Sequence, residues 1–122
     1  MNALFIVLND LTRYDDVMEI FYELRVGATT MDTTGMRSIL QRHSEPIPFV
    51  GRFDRIFKEG QPYNKTIFSV IQDDTLLDTI TARLEEEVFD YFQEEGKAFM
   101  FVMPVARVYG CEKSESKNAA CS

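Results

Sequence analysis

Residues 27–35 read GATTMDTTG, and the fold of the chain is decided around this stretch. Gly27 and Gly35 bracket a threonine-rich run whose β-branched residues favour a strand. About thirty residues then pass before the next strand-like run, which is longer than most connections in compact domains. Connections of that length are mostly functional or disordered. We therefore predict a regular scaffold that displays one large loop, over residues 35–64.

Before this stretch the pattern predicts one strand and one helix. Residues 4–8 (LFIVL) form a continuous apolar run, which is typical of a central strand covered on both faces. Residues 9–12 supply a turn and a candidate helix cap. Apolar residues then recur at the spacing of one buried helix face: Val17, Ile20, Phe21 and Leu24. Because glycine commonly follows the last turn of a helix, we predict that the helix stops at Gly27 and that residues 28–32 form the second strand.

After the loop the pattern predicts a strand, a helix and another strand. Residues 65–71 form the third strand, and Asp73 is a candidate cap of the second helix. The buried stripe of this helix is Leu77, Ile80, Leu84, Val88 and Tyr91 or Phe92. Residues 98–103 form the fourth strand, where Pro104 marks an edge or a kink, and residues 105–109 add a short fifth strand.

The long loop has a pattern of its own. Pro46 and Pro48 interrupt it, because proline removes a backbone donor and restricts the residue before it. Residues 49–57 recover helical spacing, with phenylalanines on one face and charges between them. This short amphipathic helix is either a lid packed on its own domain or a neighbouring subunit, or a docking element for another protein.

The element order predicts an α+β fold, a ferredoxin-like βαββαβ sandwich with both helices on one face of the sheet. One domain spans residues 1–110, with the insertion at 35–64 and a flexible polar tail at 111–122. The first and fourth strands are apolar at consecutive positions, so both sheet faces are hydrophobic. Since two helices cover only one face, we expect another copy of the chain to cover the other.

The composition limits the function classes. The chain has 122 residues, 45% of them hydrophobic, and a net charge of −7, which argues against nucleic-acid binding. Residues 35–65 carry six basic and three acidic residues, whereas the remainder carries seven basic and seventeen acidic. A basic loop on an acidic body favours an anionic partner or ligand, although polar loops are also common without any such role.

The sequence predicts a cytoplasmic, non-enzymatic protein. No apolar run is long enough for a membrane helix or a signal peptide. His43 is the single histidine, without a matching nucleophile motif, and we predict no catalytic residue and no metal ligand. Cys111 and Cys121 both lie in the tail, too late to staple the core, which fits a reducing compartment.

Several stretches in this order and spacing resemble the PII signalling family over almost the whole chain. They are residues 5–8 (FIVL), 27–29 (GAT), 32–37 (DTTGMR), 70–74 (VIQDD), 96–101 (GKAFMF) and 105–108 (VARV). The resemblance implies a homotrimer whose long T-loop contacts target proteins. It also implies small effectors, usually adenine nucleotides, bound in clefts between subunits.

The resemblance also implies which residues bind the effector. The T-loop base, the phosphate-contacting segment and the strand after it correspond here to Gly35, Met36, Arg37, Gly96, Lys97 and Arg107. A lysine is suited to neutralise phosphate, since its ammonium is a flexible point charge.

Three departures set the chain apart from the nitrogen-regulatory members. The acidic stretch at residues 90–95 replaces a glycine-rich one, Val108-Tyr109-Gly110 replaces a segment with two further arginines, and the loop lacks their tip tyrosine. The chain therefore resembles a side branch with a small anionic effector, for which an adenine nucleotide is the candidate. Its target, reached through residues 35–64, is a protein and could be a membrane protein.

Two other functions stay open from the sequence. One is a structural or interaction module without a small-molecule ligand, and the other is a trimer of the metal-tolerance type, which shares the fold. Some bicarbonate-linked PII-like proteins resemble the chain in carrying tail cysteines, at a shorter spacing. Cys111 and Cys121 could accordingly close a redox-sensitive loop, or be incidental thiols.

Overall fold

The structure, a computed structural model, describes residues 1–35, 64–89, 98–111 and 120–121. In chain order its elements are β1 (Asn2–Leu8), a 3-10 turn (Leu11–Arg13), α1 (Tyr14–Glu23), β2 (Thr29–Thr33), β3 (Asn64–Ile71), α2 (Asp74–Glu87), β4 (Ala98–Pro104) and β5 (Ala120–Cys121). The predicted α+β class and βαββαβ order are confirmed. The predicted loop helix at residues 49–57 lies outside the described residues.

The strands form one antiparallel sheet in the order β2-β3-β1-β4. The apolar first strand occupies a central position, as its continuous hydrophobic run predicts, and β4 lies at an edge, in keeping with Pro104 at its end. In the register of the sheet, Phe5 of β1 stands opposite Phe68 of β3 on one side and Phe101 of β4 on the other.

The fifth strand is not where the sequence predicts it. Residues 105–109 form no strand; instead Cys121 pairs with Val70 and Ala120 with Ile71. β2 pairs only with residues 64–68 of β3, and the two-residue β5 pairs with Val70 and Ile71 at the other end of β3. The prediction was wrong because a two-residue strand is too short to show any periodicity.

The first helix begins as predicted and ends differently. Asp10 accepts a hydrogen bond from the Thr12 N–H at 3.1 Å and starts the 3-10 turn that leads into α1. At the other end Arg25, not Gly27, takes the left-handed conformation, with φ of 56°. The Val26 N–H bonds the Phe21 carbonyl at 2.9 Å, which closes the helix two residues earlier than predicted.

The second helix follows its prediction closely. The Asp73 carboxylate accepts hydrogen bonds from the N–H groups of Thr75 at 2.8 Å and Leu76 at 3.4 Å. The predicted stripe is buried over its described part, and residues 85–87 are exposed. Tyr91 and Phe92 lie outside the described residues.

The core lies between the two helices and one face of the sheet. Its strand residues include Leu4, Ile6, Leu8, Ile67 and Ile71, and its helix residues include Val17, Ile20, Phe21, Leu76, Leu77, Ile80 and Leu84. Ser69 lies among them, fully buried, and its hydroxyl has no hydrogen-bond partner among the described residues. Within one chain the helices cover this face over β1 and β3, whereas Val102 of β4 remains 43% exposed on it.

The two cysteines are joined in a disulfide, with Cα atoms 5.9 Å apart. The Cys111 sulfur lies 4.0 Å from the Gln72 side-chain nitrogen, so the bond lies close to the end of β3. Of the two possibilities left open by the sequence, the closed tail loop is the one present. Residues 112–119 of the predicted flexible tail lie outside the described residues.

Candidate functional site

The base of the long loop lies at one end of the sheet. Thr33, the last residue of β2, is paired with Asn64, the first residue of β3, and Gly35 follows two residues later. Asn64 is polar, yet only 2% of its surface is exposed. A buried amide must find hydrogen-bond partners, so its contacts define how the two chain segments meet.

The Asn64 amide connects three segments of the chain. In the orientation that the hydrogen-bond network assigns, its nitrogen donates to the Thr33 carbonyl at 2.7 Å and also contacts the Thr33 hydroxyl. Its oxygen accepts from the Gly35 N–H at 3.3 Å. The side-chain amides of Asn64 and Asn9 meet at 3.0 Å, and the Thr33 hydroxyl lies 2.7 Å from that of Thr66. The network therefore joins the ends of β1 and β2 to the start of β3.

An ion pair borders this polar network on the helix side of the sheet. Lys65 donates to the Asp32 carboxylate at 2.7 Å, and its ammonium lies 5.2 Å from the centre of the Tyr14 ring. The hydrogen bond to Asp32 raises the pKa of Lys65 above its ordinary value. The Tyr14 hydroxyl in turn meets that of Thr30 at 3.1 Å. Lys65 therefore stays charged at neutral pH at the edge of the loop base.

The two predicted effector residues that the structure describes, Gly35 and Arg107, fall at opposite ends of the sheet. Gly35 belongs to the loop base, and β4 begins at Ala98, paired with Leu8 at that same end. Met36, Arg37, Gly96 and Lys97 lie outside the described residues. Arg107 is exposed and follows β4 at the opposite end, where the Val105 N–H bonds the Met1 carbonyl at 3.1 Å.

The separation of Gly35 and Arg107 has a direct consequence. The seven residues of β4 span about 20 Å at the usual rise of a strand. Cys111 lies beside Gln72 at the end of β3, so the segment after β4 stays at that far end. Within one chain, the structure does not bring Gly35 and Arg107 together.

The second face of the sheet carries no helix among the described residues, and we call it the helix-free face. It consists of the alternate residues Ala3, Phe5, Val7, Phe68, Val70, Phe99, Phe101 and Met103, with Met31 at its margin. The ring of Phe5 stacks on Phe101 at 5.0 Å and on Phe68 at 5.7 Å, and Phe99 lies 6.2 Å from Phe101. Phe99 is 53% and Phe101 40% exposed. A contiguous exposed apolar surface of this kind is a candidate interaction site.

The outer side of the two helices carries a polar groove of about 480 Å³. Arg83 of α2 bridges to Glu23 of α1 at 2.7 Å and to Glu87 at 3.1 Å. The hydrogen bond to Glu23 raises the pKa of Arg83. These ion pairs link the two helices, and we assign the groove a structural role.

The sequence did not single out Asn64 or Asn9. A polar residue directly before an apolar strand is a weak signal, because most residues in that position are simply exposed. The decisive fact is the burial of Asn64 against Asn9, which lies 55 residues earlier in the chain and can be found only from the fold.

The described part of the chain shows neither a metal cluster nor a membrane-spanning helix. It contains no group of three or more histidine, cysteine or acidic side chains placed to hold a metal ion. None of the helices within those same ranges is long and apolar enough to cross a membrane.

No protein-family model matches the chain, and no curated protein matches its sequence. Solved structures do match its fold. One is the crystal structure of a protein from Thermus thermophilus that is described as PII-like and signalling, with a TM-score of 0.53. The chain has a PII-like fold. The match covers 84% of this chain and 82% of that one, at 16% sequence identity, so the likeness concerns the fold.

Proposed function

We propose that the chain is a PII-like signalling protein that assembles as a homotrimer and acts as a non-enzymatic regulator in the cytoplasm. It binds a small anionic effector, for which an adenine nucleotide is the candidate, in clefts between its subunits. The effector controls how residues 35–64 contact a target protein, which could be a membrane protein.

The observation that carries this proposal is the helix-free face. Four stacked phenylalanines lie on it, and Phe99, the most exposed of them, has 53% of its surface in solvent. Full burial of one such side chain stabilises a protein by about 1.5–3 kcal/mol, so covering this face would be favourable. Other copies of the chain are the simplest cover, and the trimer is the assembly that the PII resemblance implies. The fold itself is PII-like, which supports the same assembly.

The position of Arg107 supports an effector site shared between subunits. In one chain Arg107 and Gly35 stand at opposite sheet ends. A neighbouring copy can supply the missing cation, so assembly and effector binding are coupled in this proposal. Lys97 and Arg37 are the further basic groups that we assign to the anion.

The effector is tested with ATP, ADP, AMP and pyrophosphate as probes. A nucleotide at one hundred times its Kd raises the free energy of unfolding by about 2.7 kcal/mol, which is measured as a thermal shift. Replacement of Arg107 by alanine is expected to weaken binding by about tenfold or more, since a charge-assisted hydrogen bond is lost. Arg83→Ala is the matched control, because Arg83 lies on the outer side of the helices.

The outcomes separate the proposal from its alternative. A shift in the wild type that Arg107→Ala abolishes and Arg83→Ala keeps supports the shared site. A trimer that responds to none of the probes favours a structural or interaction module instead. A regulatory loop also requires that the bound nucleotide changes the rate of tryptic cleavage at the arginines between residues 36 and 63.

A further inference from the structure

The buried amide of Asn64 has a role that its place in the sequence does not suggest. Asn64 stands at the returning end of the long loop, and its partners are Asn9, directly after β1, and Thr33 and Gly35 at the departing end of that loop. Three segments far apart in the chain therefore meet at one side chain. The amide is also nearly inaccessible, with 2% of the residue exposed, so water is not available to replace these contacts.

The contact with Gly35 is a contact with backbone. The Asn64 oxygen accepts from the Gly35 N–H, while the Asn64 nitrogen donates to the carbonyl of Thr33 two residues earlier. The Asn64 side chain thus binds both a backbone donor, the Gly35 N–H, and a backbone acceptor, the Thr33 carbonyl. Glycine has no side chain of its own to restrict the backbone, so its orientation depends on such outside contacts.

We infer that Asn64 is a positioning residue that fixes the Gly35 backbone at the base of the loop. This role rests on the proposed function, in which Gly35 belongs to the effector site. Asn64 itself is buried and does not touch the effector. It acts through Gly35 and ties its position to Asn9, and so to the connection between β1 and α1.

Thr66 and Thr33 complete the arrangement. Their hydroxyls meet at 2.7 Å, and the Thr33 hydroxyl also contacts the Asn64 amide. The donors and acceptors therefore follow one another from the amide nitrogen to Thr33 and on to Thr66. Since each group in this row depends on the next, removal of the amide takes a donor from the carbonyl and hydroxyl of Thr33 and an acceptor from the Gly35 N–H.

The first test measures hydrogen exchange of single amides in the absence of any ligand. In Asn64→Ala the Gly35 amide is expected to exchange about tenfold faster than in the wild type, because its acceptor is lost. The amide of Ile6, in the central strand, reports global unfolding. The expected result is a change at Gly35 that exceeds the change at Ile6.

The matched control is Ser69→Ala, which also shortens a buried polar side chain of β3 but on the other sheet face. It should leave the exchange of Gly35 unchanged. Asn64→Asp keeps an acceptor opposite the Gly35 N–H and is expected to restore slow exchange in part. Equal acceleration at Gly35 and Ile6 in Asn64→Ala would overturn the inference, since it indicates a purely structural role.

The second test measures ATP affinity of the same variants. Asn64→Ala is expected to weaken ATP binding about tenfold, and Ser69→Ala to leave it unchanged. Unchanged or tighter binding by Asn64→Ala overturns the positioning role. Failure of the wild type to bind any probe refutes the proposed effector instead, and the exchange of Gly35 then still decides whether Asn64 fixes its backbone.

Discussion

The two faces of the sheet are both apolar, but they differ in side-chain type and in exposure. The helix-covered face presents branched aliphatic residues such as Leu4, Ile6 and Ile67, which are completely buried. The helix-free face presents flat aromatic rings, of which Phe99 and Phe101 are about half exposed. Branched side chains interdigitate with helices, whereas stacked rings form a broad surface that another sheet can meet. The two faces therefore differ more in exposure than in hydrophobicity.

The strongest test of this difference is a charge on the helix-free face. Phe101→Asp is expected to convert the assembly into monomers, because three carboxylates would otherwise be buried together without partners. Sedimentation velocity measures the change in mass, and circular dichroism checks that the subunit remains folded. Tyr22→Asp is the control, since Tyr22 is 84% exposed on α1. A wild type that is already monomeric at micromolar concentration contradicts the proposed assembly.

A substitution on the covered face should act on folding. Ile6→Ala is expected to lower the free energy of unfolding by about 2–5 kcal/mol, because it leaves a cavity between the sheet and the helices. Urea denaturation measures the loss, which should appear at every protein concentration. A loss below about 1 kcal/mol would show that this face is less tightly packed than the burial of Ile6 indicates.

Among the described residues, each face also contains one buried polar residue, and the two should respond in opposite ways. Asn64, on the helix-free side, has hydrogen bonds in place, so Asn64→Ala is expected to cost about 1 kcal/mol of stability, the net worth of a typical hydrogen bond. Chemical denaturation measures this cost. An unchanged midpoint would mean that the amide contacts contribute nothing to folding.

On the covered face, Ser69 has a buried hydroxyl without a partner among the described residues. Ser69→Ala is therefore expected to stabilise the protein by about 1 kcal/mol, because it removes an unpaired polar group from the core. Thermal denaturation should show the gain. A loss of stability would reveal a hydrogen bond that the described residues do not provide.

The smallest expected effect concerns Arg25, at the carboxyl end of α1. Arg25 holds a left-handed conformation with φ of 56°, which costs an L-residue about 1 kcal/mol relative to glycine. Arg25→Gly is thus expected to stabilise the protein by up to about 1 kcal/mol. Arg25→Ala, without that conformational freedom, serves as the control in the same denaturation series. Equal stabilities of the two variants would refute this explanation.

The sequence predicted the parts of the fold that depend on periodicity. The buried stripes of both helices and the central run of β1 recur at fixed spacings, so neighbouring residues suffice to find them. The end of α1 could not be predicted, because Gly27 offers the usual signal while Arg25 closes the helix. The two-residue β5 carries no pattern at all.

The candidate site was predictable only in part, for a related reason. Gly35 could be placed at the loop base because it follows a strand-like run and resembles a known motif. Asn64 gains its importance from Asn9 and Thr33, which lie far away along the chain. Arg107 could be assigned to the effector by resemblance. Its distance from Gly35, however, depends on how β4 runs beside β1, which is known only from the sheet topology.

The central position of β1 also has a consequence for biosynthesis. Its two neighbours are β3, at residues 64–71, and β4, at residues 98–104, so β1 is synthesised before both strands with which it pairs. Folds dominated by such distant pairings form slowly, since long stretches of chain must be closed first. The apolar strand β1 therefore remains without its neighbours during part of translation, and we expect nascent chains that end before residue 98 to be captured by chaperones.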